Sequence, residues 1–133
     1  MPLLSANIVV CESALTEKSG MVSAIRMMDT ITLAPGNTIA RFYIVTRLSC
    51  QSGDFSQHVL KIQVTHQNEA LIVEAPEHPF RYGYKMDIDG PGGFILTTET
   101  AVDTVSFSMP ARCVVTAFLD GRPVARTPLM LRR

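Results

Sequence analysis

The clearest structural signal in the sequence is CVVTAFLDGRPVARTPLML, residues 113–131. Asp120-Gly121 stands between two runs in which apolar and polar residues alternate. A two-residue turn of type I′ needs positive φ at both central positions, and Asp-Gly tolerates that geometry, so the stretch predicts a β-hairpin. Pro123 and Pro128 lie in the second arm and cannot donate ladder hydrogen bonds. That arm is therefore predicted to be an edge strand or to turn those nitrogens to solvent.

Two earlier runs show the same alternation, IARFYIVTRLSC (39–50) and SQHVLKIQVTH (56–66). A period of two is typical of strands with one buried face. The predicted inward residues are Ala40, Phe42, Ile44, Leu48 and Cys50 in the first run and Leu60, Ile62 and Val64 in the second. The connecting QSGDF (51–55) is rich in turn formers, so the two strands are predicted to form an antiparallel hairpin.

The segment MVSAIRMMDTITLA (21–34) is ambiguous between a helix and a strand. Its apolar residues fit one helix face, but the β-branched tail after Asp29 favours an extended chain with a bulge near Met28-Asp29. Further short strands are predicted in SANIVVCES, ALIVEAP and TVSFSMP. Strands at this spacing, with turn signals between them, predict an all-β, antiparallel β-sandwich, Ig-like or C2-like, of about eight or nine strands. Residues 1–133 are predicted to form a single domain.

Composition bounds the class of function. The chain has 133 residues, 47% of them hydrophobic, with 12 basic and 12 acidic residues that cancel. It is too apolar for a disordered protein, and a zero net charge offers no basic footprint, so nucleic-acid binding is not expected. The opening MPLLSANIVVCES has no basic n-region and no long apolar run, so neither a signal peptide nor a membrane span is predicted. A cytoplasmic location is expected.

The three cysteines, Cys11, Cys50 and Cys113, are far apart and form no C-x-x-C pair. That pattern argues against a disulfide scaffold and against a zinc site. Each stands in an apolar run, so we expect buried thiols that pack as small hydrophobic residues; a reactive thiol or a metal ligand is the alternative.

The loop MDIDGPGGFILTTET (86–100) is the most site-like stretch. It lacks the lysine and the following helix that a phosphate-binding loop requires, and its glycine spacing does not fit a dinucleotide site. Asp87 and Asp89 would point to the same side of an extended chain and are candidate calcium ligands, although Pro91 and Thr98 exclude an EF-hand. The alternative is that both aspartates are solvated turn residues beside flexible glycines.

An aromatic patch precedes that loop. In HPFRYGYKM, the rings of Phe80, Tyr82 and Tyr84 alternate with Arg81 and Lys85, so an extended segment would place three rings on one face. Such a face would bind a carbohydrate, a base or a protein groove through Phe80, Arg81, Tyr82 and Tyr84. The rings would equally serve as sheet core.

No complete catalytic set is evident. His58 and His66 are eight residues apart on one predicted strand, too far to share a metal on a straight strand. His78, in a predicted loop beside Glu77, has no nucleophile placed by motif. The chain also lacks the G-x-S-x-G and H-E-x-x-H signatures. The sequence therefore predicts neither an enzyme nor a cofactor.

The two ends of the chain carry a family resemblance. An apolar strand ending in Cys11-Glu12, a Gly20-x-x-Ser23 step into a second strand that carries Asp29, and a last strand ending in Pro128-Leu129 resemble a family of small bacterial domains of unknown function. The resemblance implies a β-sandwich and assigns no catalytic residue.

These observations favour a non-enzymatic interaction or structural module. Sandwich edges expose unpaired backbone groups, so self-association or capture of a protein partner at an edge is the first hypothesis. The second is a ligand-binding module for calcium or a carbohydrate, using the Asp87-Asp89 loop or the Phe80-Tyr82-Tyr84 face.

Overall fold

The computed structural model describes residues 3–19, 21–33, 35, 38–39, 41–50, 57–67, 71–74, 78–81, 94–102, 105–106 and 111–132. Within them every regular element is a β-strand, which confirms the predicted all-β class. The strands are β1 Leu3–Thr16, β2 Val22–Met27, β3 Thr30–Thr32, β4 Thr38–Ile39, β5 Phe42–Cys50, β6 Gln57–His66, β7 Leu71–Glu74, β8 His78–Arg81, β9 Phe94–Val102, β10 Val105–Ser106, β11 Ala111–Leu119 and β12 Arg122–Arg132. They exceed the predicted eight or nine because several are only two to four residues long. His78 begins β8, so its predicted place in a loop is wrong.

The strands form two main sheets. The first sheet has the order β2-β1-β5-β9, and the second has the order β3-β12-β11-β6-β7, with β8 also paired to β6. β4 and β10 form a separate two-stranded pair. Every pairing is antiparallel apart from that of β12 with β3, which is parallel. The predicted antiparallel arrangement is therefore confirmed for all but one pair of the described strands.

The hairpin at residues 113–131 forms as predicted. Leu119 of β11 pairs with Arg122 of β12. The two residues between them have positive φ, 52° at Asp120 and 83° at Gly121, as a type I′ turn requires. The edge-strand prediction holds only in part, because β12 pairs with β3 from Met130 onward, after both prolines. No ladder hydrogen bond to β3 is lost at a proline.

The predicted hairpin of β5 with β6 is wrong. β5 lies between β1 and β9 in the first sheet, whereas β6 lies beside β11 in the second. The connection between them passes from one sheet to the other, and residues 51–56 are outside the described part of the chain. Alternation fixes which side of a strand is buried, but it does not identify the neighbouring strand.

Where the sequence predicts a bulge, at Met28-Asp29, the chain instead passes from the first sheet to the second. The Met28 N–H donates to the Val10 carbonyl in the first sheet, with an N to O distance of 2.7 Å. The Asp29 carbonyl accepts from the Met130 N–H in the second sheet, at 2.9 Å. The extended chain predicted for this segment is confirmed as β2 and β3, and the two residues between them carry the chain from one sheet to the next.

One hydrophobic cluster includes buried residues of both sheets. The first sheet contributes Val10, Phe42, Ile44, Leu48 and Val102, and the second contributes Ile31, Leu60, Ile62, Val64, Cys113, Val115, Ala117, Leu119, Leu129 and Leu131. We call this set the main core. The inward assignments of Phe42, Ile44 and Leu48 on β5 and of the three aliphatic residues on β6 are confirmed.

A second, smaller cluster contains Cys11, Ala14 and Val45, with Val9, Val22 and Tyr43 packed against it. Val45 is buried here while its neighbour Ile44 is buried in the main core, so β5 is covered on both faces. β2 also approaches β9, although β1 and β5 separate them in the sheet. Since neighbouring strands are about 4.8 Å apart, the first sheet must curl to bring them together.

Candidate functional site

The β1–β2 hairpin carries the apolar side chains that the fold leaves in solvent. Within the described ranges, the large hydrophobic residues that are exposed are Leu15, Met21, Ile25 and Met27. Leu15 ends β1, Met21 stands in the turn, and the other two lie on β2. Their exposed fractions run from 48% at Ile25 to 71% at Met27. Four such residues in one hairpin mark a candidate contact surface, which we call the β2 edge.

β2 is an edge strand. Its only ladder partner among the described strands is β1, with pairs from Cys11↔Met27 to Thr16↔Val22. Although the curl of the sheet brings β2 near β9, the side chains from Ser23 to Met27 are exposed. The backbone N–H and C=O groups on the free side of an edge strand form a template for another strand.

The turn of this hairpin is held by local hydrogen bonds. The Glu17 N–H donates to the Met21 carbonyl at 2.8 Å, and the Met21 N–H donates to the Ser19 hydroxyl at 3.5 Å. Arg26 has a φ of 60°, which few non-glycine residues adopt. Its guanidinium contacts the Glu12 carboxylate at 3.1 Å. Both side chains are exposed, so the ion pair adds little stability, but it neutralises the only charge of β2.

Two cysteines are buried, Cys11 in the smaller cluster and Cys113 in the main core. Cys11 is fully buried, and its thiol donates to the Tyr43 carbonyl at 3.7 Å. Burial raises the pKa of the Cys11 thiol, and the nearby Glu99 charge adds to that increase. Burial also raises the pKa of Cys113 to about 11. Both thiols are therefore protonated at neutral pH and poor nucleophiles, as expected for packing residues; the Cys50 side chain lies outside the described part.

A histidine–carboxylate pair that the sequence did not suggest connects β6 to the β11–β12 turn. His58 Nδ1 lies 2.6 Å from Asp120 Oδ2. The Val59 N–H donates to Asp120 Oδ1 at 2.9 Å, and the Asp120 N–H donates to the Val59 carbonyl at 2.9 Å. The His58 side chain is only 8% exposed. Because both carboxylate oxygens bind β6, the pair fixes the turn to that strand. No sequence motif could indicate it, since 62 positions separate the two residues.

The residues proposed from sequence as ligand sites lie mostly outside the described part of the chain. Tyr82, Tyr84, Asp87 and Asp89 fall in the segment 82–93, so the calcium and carbohydrate predictions stay predictions. The backbone of Phe80 and Arg81 forms the end of β8, where they pair with His58 and Gln57. Extended structure is thus confirmed for the first part of the aromatic patch. Among the described residues, no group of three or more His, Cys, Asp or Glu side chains is arranged to hold a metal ion.

Comparison with known structures places the fold among solved proteins. The chain aligns with the alkylpurine DNA glycosylase AlkC of Pseudomonas fluorescens, in a structure bound to DNA containing an abasic site analog, at a TM-score of 0.50 and 15% identity. The alignment covers 79% of this chain but only 28% of the glycosylase, so the likeness concerns the fold of one part of that protein. A candidate ApaA protein from Bordetella pertussis aligns over 99% of this chain and 97% of its own length, at 12% identity and a TM-score of 0.37.

Curated proteins and family profiles complete the comparison. No curated protein matches the chain. In the described ranges there is no helix whose length and hydropathy would let it cross a membrane. Residues 7–132 match the profile described as a family of unknown function (DUF6941), which agrees with the resemblance seen at both ends of the sequence. Since the match spans nearly the whole chain, the protein belongs to the DUF6941 family.

Proposed function

We propose that the chain is a non-enzymatic β-sandwich module that acts by self-association through the β2 edge. The observation that supports this most directly is the concentration of exposed apolar side chains in a hairpin whose outer strand, β2, has a free side. Exposed hydrophobic surface next to unpaired backbone groups favours the addition of a strand, because one contact then satisfies both.

A second copy of the chain fits this edge best. The net charge of the protein is zero, so two copies do not repel each other over long range. The single charge of β2, on Arg26, is paired with Glu12 of its own chain. An antiparallel pairing of two β2 strands about a twofold axis would bring the same apolar residues together from both sides.

The sandwich architecture is part of the proposal. The main core draws its residues from both sheets, as two sheets packed face to face would require. A cytoplasmic location is proposed with it, because Cys11 and Cys113 are free thiols rather than disulfides. A module of this kind would act by contact, and no nucleic-acid partner is proposed for it.

The test is the mass of the particle in solution. Light scattering coupled to size exclusion, at micromolar concentration, is expected to give a dimer for the wild type. Replacing Ile25 and Met27 together by lysine places two charges on the edge strand and should give a monomer. Both side chains are exposed, so the fold should survive, which circular dichroism would check.

A matched control separates the edge from general charge effects. Ser5→Lys adds a charge to an exposed position of β1, outside the part that pairs with β2, and should leave the dimer intact. A wild-type protein that is strictly monomeric would refute the proposal. So would a dimer that persists in the Ile25/Met27 variant.

A further inference from the structure

The second sheet carries a pocket on the face opposite the main core. Val115 and Ala117 of β11 are fully buried in the core, so the alternating residues Thr116 and Phe118 point the other way. They line a cavity of about 300 Å³, together with Gln63 of β6 and Arg126 of β12. This volume is at the lower end of the range of ligand pockets, which begins at roughly 300 Å³. We call it the outer pocket.

The polar residues of the outer pocket stand in a row across three strands. Thr116 pairs with Gln63 on one side and with Arg126 on the other. Side chains at directly paired positions on one face are about 5 Å apart, so the three can reach one small ligand. Thr116 is only 6% exposed, and it is one of the residues that line the pocket. Its hydroxyl both donates and accepts hydrogen bonds, so it is a group that a polar ligand in the pocket would use.

The charge of the pocket is positive. Arg126 makes no ion pair within the described part of the chain. The described residues that line the cavity include an arginine and a histidine but no carboxylate. The acidic residue in the same row is Glu74 of β7, which pairs with Gln63. Three strand spacings separate the backbone of Glu74 from that of Arg126, which is roughly 14 Å at the usual spacing. Among the described strands, no acidic residue therefore stands beside Arg126 in register.

We propose that the outer pocket binds a small molecule that carries an oxyanion, a carboxylate or a phosphate. Arg126 would bind the anion, since a guanidinium donates two parallel hydrogen bonds to either group. Thr116 and Gln63 would supply further hydrogen bonds. Phe118 would pack against the apolar part of the ligand. The site is independent of the β2 edge, which belongs to the other sheet.

The test is an NMR titration of the ¹⁵N-labelled full chain with sodium phosphate and, separately, sodium benzoate. Sodium chloride at matched ionic strength serves as the reference for nonspecific screening. Saturable shifts of the Thr116, Phe118 and Arg126 amides are expected with at least one probe. The two probes distinguish the sources, because benzoate carries a ring that Phe118 can contact and phosphate does not.

Two arginine variants make the result specific. Arg126→Gln should raise the dissociation constant by roughly tenfold or more, the usual effect of losing a charge-assisted hydrogen bond. Arg112→Gln removes an equal charge from an exposed position of β11 that does not line the pocket, and should change the constant less than about twofold. The absence of saturable shifts with both probes would overturn the proposal. Equal weakening in both variants would do the same.

Discussion

Thr46 is the position at which a single methyl group should make this protein more stable. It is fully buried on β5, on the same face as Ile44 and Leu48 of the main core. Its Oγ1 has no hydrogen-bond partner in the described part of the chain, and neither has the Oγ1 of Thr98, the residue of β9 that pairs with it. Both hydroxyls were removed from water without compensation, a cost of about 1 to 3 kcal/mol each.

The replacement Thr46→Val keeps the shape of the side chain and exchanges the unpaired hydroxyl for a methyl group. The unfavourable burial disappears, and the added methyl contributes apolar contact, so we expect the free energy of unfolding to rise by about 1 to 2 kcal/mol. For a domain of this size that corresponds to an increase in melting temperature of roughly 3 to 6 °C. Urea unfolding followed by circular dichroism measures the change directly.

Thr116→Val is the matched control, because the Thr116 hydroxyl opens into the outer pocket, where water can reach it. This variant should be neutral or slightly destabilising. The double variant Thr46→Val/Thr98→Val then shows whether the two hydroxyls act independently, in which case their effects add within about 0.5 kcal/mol. Destabilisation by 1 kcal/mol or more in Thr46→Val would mean that its hydroxyl is paired, and the reasoning would fail.

Four further predictions concern the β11–β12 turn, the Cys113 thiol and the loop at residues 86–100. Gly121→Ala should lower the free energy of unfolding by about 1 kcal/mol; φ is 83°, which strains an alanine, although its Cβ would meet nothing within 4 Å. Gly121→Asn should lower it less, because asparagine tolerates this conformation. Urea unfolding compares the two variants, and equal losses of stability would contradict the prediction. Cys113 should resist alkylation by iodoacetamide in the native protein at pH 8, because burial raises the pKa of its thiol, and it should react after unfolding. Mass spectrometry of the peptides measures the labelling. Labelling of Cys113 in the native protein would contradict the prediction. Because the folded pKa of Cys113 is raised from 9.0 to about 11, the unfolded thiol ionises first, so its contribution lowers the free energy of unfolding as the pH rises from about 9 towards 11. If Asp87 and Asp89 bind calcium, Ca²⁺ at a hundred times its dissociation constant should raise the free energy of unfolding by about 2.7 kcal/mol relative to a sample with chelator. The variant Asp87→Asn/Asp89→Asn should show no such increase. An unchanged melting temperature of the wild type on addition of Ca²⁺ would exclude the site.

Local signals in the sequence were sufficient where the structure depends on local geometry. Asp120-Gly121 determines its own hairpin, because the required backbone angles belong to those two residues. The alternation in β6 identified its buried face for the same reason. The partner of a strand is a different matter, since β5 and β6 have similar patterns yet enter different sheets. Turn formers between them are compatible with a hairpin and with a crossing between sheets.

The candidate surfaces were harder to predict because they depend on which strand is left uncovered. The sequence shows Ile25 and Met27 as apolar residues of a strand, and the natural expectation is that such residues are buried. Only the sheet order places β2 at an edge. The outer pocket requires Gln63, Thr116 and Arg126 to be aligned in register, and the pair of His58 with Asp120 requires β6 to lie beside β11. None of these relations can be read from residue spacing.

The crossing at Met28-Asp29 has a mechanical consequence. Two consecutive residues are tied to different sheets, one to Val10 and the next to Met130. If the sheets slid past each other, one of these two hydrogen bonds would have to break, so a shearing motion is resisted at this point. The same two residues directly follow β2, the outer strand of the hairpin with the exposed apolar residues, and the second of them is hydrogen-bonded to β12. Any displacement of β2 on contact with another chain would therefore be transmitted to β12 through a single short stretch of backbone.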